Sequence, residues 1–156
     1  MKIRHPLVVG LVAAFAVSLA SVASAVAAET PFKGKVNAVE TVEVVFPTLS
    51  VTRDGTGTAT YLGKFTEHIT LQVNIPTGDA TGVATFTAAN GDTLTATVDG
   101  HATATTTPGV VSIVEVYTIT GGTGRFADAT GSFTLESTLD QTTGVSTGIF
   151  SGSIDL

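Results

Sequence analysis

The sequence predicts an all-β chain closed into an eight-stranded antiparallel β-barrel, and three observations carry that expectation. All 29 threonines lie after Glu29, where β-branched residues, Phe and Tyr dominate the runs between glycines, a composition that favours strands over helices. Residues alternate with period two, most cleanly where Leu94, Ala96 and Val98 interleave with Thr93, Thr95 and Thr97. That is the pattern of a strand with one buried and one wet face. Turn-forming groups punctuate the runs, so neighbouring strands need only short connections.

Taken in order, strands are expected near Val36 to Phe46, Thr58 to Leu62, Phe65 to Ile75, Val83 to Ala88, Thr93 to His101, Val110 to Thr120, Ser132 to Leu139 and Val145 to Ile154. Turns are expected at Arg53-Asp54-Gly55, Pro76-Thr77-Gly78-Asp79, Asn90-Gly91-Asp92, Thr107-Pro108-Gly109 and Asp140 to Gly144. Asn90-Gly91 is the strongest hairpin signal, because a type I′ turn needs positive φ at both central residues and Asn and Gly tolerate it. Good helix formers are sparse after Glu29 and no 3.6-residue apolar period is sustained, so almost no helix is expected. Eight antiparallel strands of this length can close up-and-down and remove their exposed edges. An open two-sheet sandwich is the structural alternative.

The chain begins with Lys2, Arg4 and His5, followed by an apolar run from Leu7 through Val22 interrupted only by Gly10, Ser18 and Ser21. Small residues at Ala23-Ser24-Ala25, Ala25-Val26-Ala27 and Val26-Ala27-Ala28 offer cleavage sites, so residues 1–28 read as a signal peptide and 29–156 as a single barrel domain. A retained transmembrane anchor would need about 20 apolar residues, more than this run supplies. The expectation is an exported protein, secreted or periplasmic, with no membrane association after cleavage.

From Glu29 onward 13 acidic side chains face 5 basic ones, a net charge of −8. Nucleic acid and anionic membrane surfaces are poor partners for that balance. The chain has no Cys, so stability rests on core and sheet without disulfides. His68 and His101 fall on polar registers without a His-x-His or Glu-x-x-His companion, and neither a metal site nor another cofactor is expected. No catalytic set is assigned from the sequence.

Gly121-Gly122-Thr123-Gly124-Arg125-Phe126, followed by Ala129 and Gly131, stands between two strand-like runs. It lacks the Gly-Lys-Ser/Thr ending and following helix of a phosphate-binding loop. The residues read as a tight strand-to-strand connection in which Gly121, Gly122 and Gly124 supply backbone angles closed to other residues, with Phe126 tucked under the barrel end as a plug. The stretch resembles the glycine-rich turn of the dirigent and allene oxide cyclase barrel family. The resemblance implies an eight-stranded antiparallel barrel, often a homotrimer, whose lumen holds small hydrophobic molecules. Plant members steer phenol coupling or cyclise a fatty-acid epoxide, and the cyclases use a lumenal Glu and a Cys, which this chain lacks.

Three apolar registers each contain one glutamate. Glu40 shares a face with Val36, Ala38, Val42, Val44 and Phe46; Glu67 with Phe65, Ile69, Leu71 and Val73; Glu115 with Val111, Ile113, Tyr117 and Ile119. If these faces line the lumen, Glu40, Glu67, Glu115 and Tyr117 form a polar cluster whose carboxyl pKa values are raised by burial, placed to contact a ligand. A register shift by one residue, or burial between subunits, would put them elsewhere. Three functions follow in order of expectation: an exported barrel binding a small hydrophobic ligand, a structural protein with a filled barrel, and an isomerase working through lumenal glutamates.

Overall fold

The computed structural model describes residues 30–156; the expected signal peptide and its cleavage sites lie outside the described residues. The strands are β1 (Thr30–Val45), β2 (Thr48–Ala59), β3 (Gly63–Asn74), β4 (Asp79–Ala88), β5 (Thr93–Ala104), β6 (Val110–Gly122), β7 (Thr130–Asp140) and β8 (Val145–Asp155). Each pairs antiparallel with the next, and β1 pairs with β8 from Thr30↔Ile154 to Val39↔Val145, which closes the barrel and excludes the sandwich. The only helical segment among the described residues is a 3-10 turn, Gly124–Phe126. No helix among the described residues is long and apolar enough to cross a membrane.

The second strand corrects the sequence reading. Thr58 to Leu62 was expected as a strand and Arg53-Asp54-Gly55 as a turn, whereas β2 runs through Arg53-Asp54-Gly55 and the chain turns at Thr60–Leu62 instead. Residue type misleads there because Gly55 is needed for space. A Cβ on it would lie 2.8 Å from the Ala38 Cβ and 2.9 Å from a Glu67 carboxylate oxygen. The turn that does form places Tyr61 at φ 65°, the one non-glycine residue with positive φ among the described residues.

Asn90-Gly91 joins antiparallel neighbours as expected, but not through a type I′ turn. Only Gly91, at φ 90°, enters the left-handed region. Asn90 instead uses its side-chain oxygen to accept the Asp92 N–H at 3.1 Å, a local closure typical of Asx turns. β5 and β6 keep pairing through one register shift between Thr95 and Ala96.

Inside, the barrel is layered along its axis. The end carrying the β2–β3, β4–β5 and β6–β7 turns is filled by Phe32, Leu62, Phe65, Phe86, Leu94, Phe126, Phe133, Phe150 and Ile154, all buried. Phe133 is the hub: its ring stacks on Tyr117 at 4.5 Å and meets Phe150 at 4.9 Å, Phe32 at 5.2 Å and Phe86 at 5.9 Å. The glycine-rich segment seals this end, with Phe126 fully buried in the same cluster. Gly121 and Gly124 take positive φ. Gly122 does not; it is pressed against the Thr93 carbonyl, so space rather than backbone angle requires glycine there.

Thr123 fixes this segment to β5 in both directions, donating its N–H to the Thr93 carbonyl at 2.8 Å and accepting the Thr93 N–H on its hydroxyl at 2.9 Å. The opposite end is open. β1 overruns the barrel there, so Val42, Val44 and Phe46, placed by sequence on the buried register, form an exposed rim, with Phe46 78% exposed. The packing predicts that Phe133→Ala removes four aromatic contacts at once and lowers unfolding free energy by about 3–5 kcal/mol, read by chemical denaturation. A loss below 1 kcal/mol would show that the aromatic end is not tightly packed.

Candidate functional site

Arg53 organises the middle of the barrel. It lies on the inward register of β2 with Leu49 and Val51, and neighbouring Gly55 leaves room beside it. In a closed ring of eight, β2 and β6 stand on opposite sides, and an eight-stranded interior is about one layer of side chains wide. Arg53 therefore spans the lumen. Its Nη1 and Nη2 donate to the two oxygens of Glu115 at 3.2 and 2.8 Å, a bidentate pair. Nη2 also donates to the Tyr117 hydroxyl, which in turn donates to Glu115 at 2.8 Å.

The other two glutamates complete the layer. Glu40 is the direct cross-strand partner of Arg53, with an oxygen 3.6 Å from Nη1. Glu67 stands opposite Gly55 and approaches the Arg53 Nε at 3.4 Å. Neither contact has hydrogen-bond geometry, so Glu40 Oε1, Glu67 Oε1 and Arg53 Nε are buried without a partner. The side chains of Arg53, Glu67 and Glu115 are each 1% exposed and that of Glu40 6%. Glu115 is accommodated by Gly100, where a Cβ would lie 2.8 Å from the Glu115 Cγ.

Three carboxyl groups around one guanidinium cannot all ionise cheaply away from water. Burial pushes Glu67 up to about 7 against the pull of Arg53, with Glu115, Glu40 and Asp54 adding to the rise. Burial likewise raises Glu40, partly offset by Arg53, and raises the Tyr117 hydroxyl well above its ordinary value. For Arg53, burial alone would loosen the proton, but Tyr117, Glu115 and Glu67 together outweigh it and hold the guanidinium charged.

Above this layer lies a cup of about 670 Å³. Leu49, Val51, Leu71, Val73, Val111 and Ile113 build the apolar part of its wall, Thr41, Asn74, Gln141 and Thr142 add polar groups, and Glu40 and Glu115 stand at its floor. The structure thus brings Glu40, Glu67, Glu115 and Tyr117 into one lumenal cluster, but only Glu40 and Glu115 line the cup. Gly121, Gly122, Thr123, Gly124, Arg125 and Phe126 belong to the sealed end, where the Arg125 guanidinium carbon sits 4.9 Å over the Phe126 ring. No group of His, Cys, Asp and Glu suited to a metal is present among the described residues. His68 and His101 instead pair on the outer wall with Asp54 at 2.7 Å and Asp79 at 2.9 Å.

Sequence reasoning missed Arg53, and a signal for it existed. Leu49, Val51, Arg53 and Ala59 share one period-two register, so a lone cation interrupts an apolar face as the glutamates interrupt theirs. No family model, no curated protein and no solved structure matches the chain. Fold and site define a closed eight-stranded antiparallel barrel, sealed by aromatics at one end and open at the other above a buried arginine–glutamate layer.

Two predictions follow from the layer. Removing its only cation by Arg53→Met leaves buried carboxyls uncompensated and should cost about 3–5 kcal/mol. The double variant Arg53→Met with Glu115→Gln should recover part of that loss; no recovery would show that Arg53 acts through packing alone. For pH, Glu67 binds its proton more tightly folded than unfolded, so its stabilisation is full below about pH 4.5 and is lost as pH rises through about 7. Thermal stability should fall by the equivalent of about 3 kcal/mol between pH 4.5 and 8. Glu67→Gln should flatten that slope, and an equal slope in the variant would assign the effect to other groups.

Proposed function

We propose that this protein is an exported β-barrel of the dirigent and allene oxide cyclase kind that binds a small hydrophobic molecule in its open cup. The single observation that supports this reading is the cup itself. An apolar wall with two carboxyl groups converging at its floor is the makeup of a small-molecule site, and its volume falls within the roughly 300–1,000 Å³ such sites occupy. The layered interior also explains why a purely structural role is the weaker reading. Half of the lumen is packed solid, as a filled barrel would be, while the other half keeps its aliphatic side chains turned to open space.

Export, the family relationship and a trimeric assembly belong to the same proposal, supported by the apolar N-terminal run and the Gly121–Phe126 segment. Glu67, the carboxyl that titrates near neutrality, lies behind the floor rather than on the cup wall, which favours binding over acid–base chemistry through that residue. The test uses a neutral fluorescent naphthylamine, N-phenyl-1-naphthylamine, with the wild type and with Ile113→Trp. The added ring would occupy the cup, so probe affinity should fall about tenfold or more while thermal stability is kept. Equal binding by both proteins would overturn the cup as the site, and native mass spectrometry of the same samples would report subunit number and any retained molecule.

A further inference from the structure

Resting on the cup reading, we infer that its ligand carries a cationic head, an apolar amine whose ammonium group docks on Glu40 at the floor. The donors and acceptors at that floor are unevenly distributed. Arg53, the only cation of the layer, is 1% exposed, with both terminal nitrogens committed to Glu115 and Tyr117, and it does not line the cup. Glu40 does line the cup. Its side chain is 94% buried, and its Oε1 turns toward the Arg53 Nη1 at 3.6 Å without hydrogen-bond geometry, so the carboxylate keeps acceptor capacity for a donor arriving in the cup.

Charge points the same way. Three glutamates surround one arginine, and the cup wall contains no lysine or arginine. An anionic head would enter a site whose floor already holds three carboxyl groups to one guanidinium and would add to their repulsion. A neutral hydroxyl could donate one hydrogen bond to Glu40 but would bring no positive charge to offset the excess of carboxyl groups. An ammonium group donates up to three hydrogen bonds and stabilises the ionised form of Glu40 that burial opposes, and a charge-assisted bond is the stronger kind. The aliphatic wall formed by Leu49, Val51, Leu71, Val73, Val111 and Ile113 then covers the apolar body of the ligand.

The experiment is calorimetric titration of the protein as recovered from cells with three probes sharing one tail: dodecylamine, dodecanol and dodecanoate, at pH 7. Dodecylamine should bind with one site per barrel and at least about tenfold tighter than dodecanol, with dodecanoate weakest. Glu40→Gln, which keeps size and shape, should erase the preference for the amine by weakening dodecylamine about tenfold or more. Ile113→Trp should abolish binding of all three, separating the cup from attraction to the acidic outer surface. Dodecanoate binding as tightly as the amine, or an unchanged preference in Glu40→Gln, would overturn the cationic head while leaving the cup intact. Failure of all three probes to bind would overturn both readings, and the wild-type comparison decides the matter even if the variant does not fold.

Discussion

The rest of the structure depends on one constraint: a guanidinium enclosed in the lumen must be surrounded by acids. Arg53 reaches from β2 across the barrel to Glu115 and Tyr117 on β6, with Glu40 beside it on β1 and Glu67 on β3. Four strands are thereby tied to one point. Side chains of this length fit because the positions next to them are small, as at Gly55 and Gly100. The layer also divides the interior, with aromatic rings packed on one side of it and an open aliphatic cup on the other.

Such a layer is a poor device for stability alone. Taking ions from water costs several kcal/mol each, and apolar residues of similar volume often serve a core equally well or better. The aromatic end, where Phe133 meets four other rings, shows that this chain can fill a barrel without charge. Placing acids at the base of the cup, where Glu40 and Glu115 line it, makes physical sense where a molecule enters from above and brings a donor to them. Stability and binding thus oppose each other in the layer, as is usual where a site is prepared for something not yet bound.

The fold was largely legible in the sequence and the centre of the site was half legible, for reasons that can be named. Period-two alternation identified the inward faces, and it placed Glu40, Glu67, Glu115 and Tyr117 together because a strand's facing is set by parity alone. The same rule would have found Arg53, but Asp54-Gly55 following it has the composition of a turn. A glycine that yields space to a neighbour looks in sequence like a glycine that bends the chain. The rim was misread for a different reason: alternation continues through Val42, Val44 and Phe46, but only the ring of neighbouring strands decides where the lumen stops.

The measurement that bears most directly on this account is a carbon-detected NMR titration of the glutamate side-chain carboxyls. Enclosure of three acids around Arg53 predicts that the Glu67 signal moves with a midpoint of about 7 and that the Glu40 midpoint is raised from its ordinary value. Ordinary midpoints for both, near the 4.5 of an exposed glutamate, would place these side chains in water and contradict the buried layer on which the sealed end, the cup and its floor all depend.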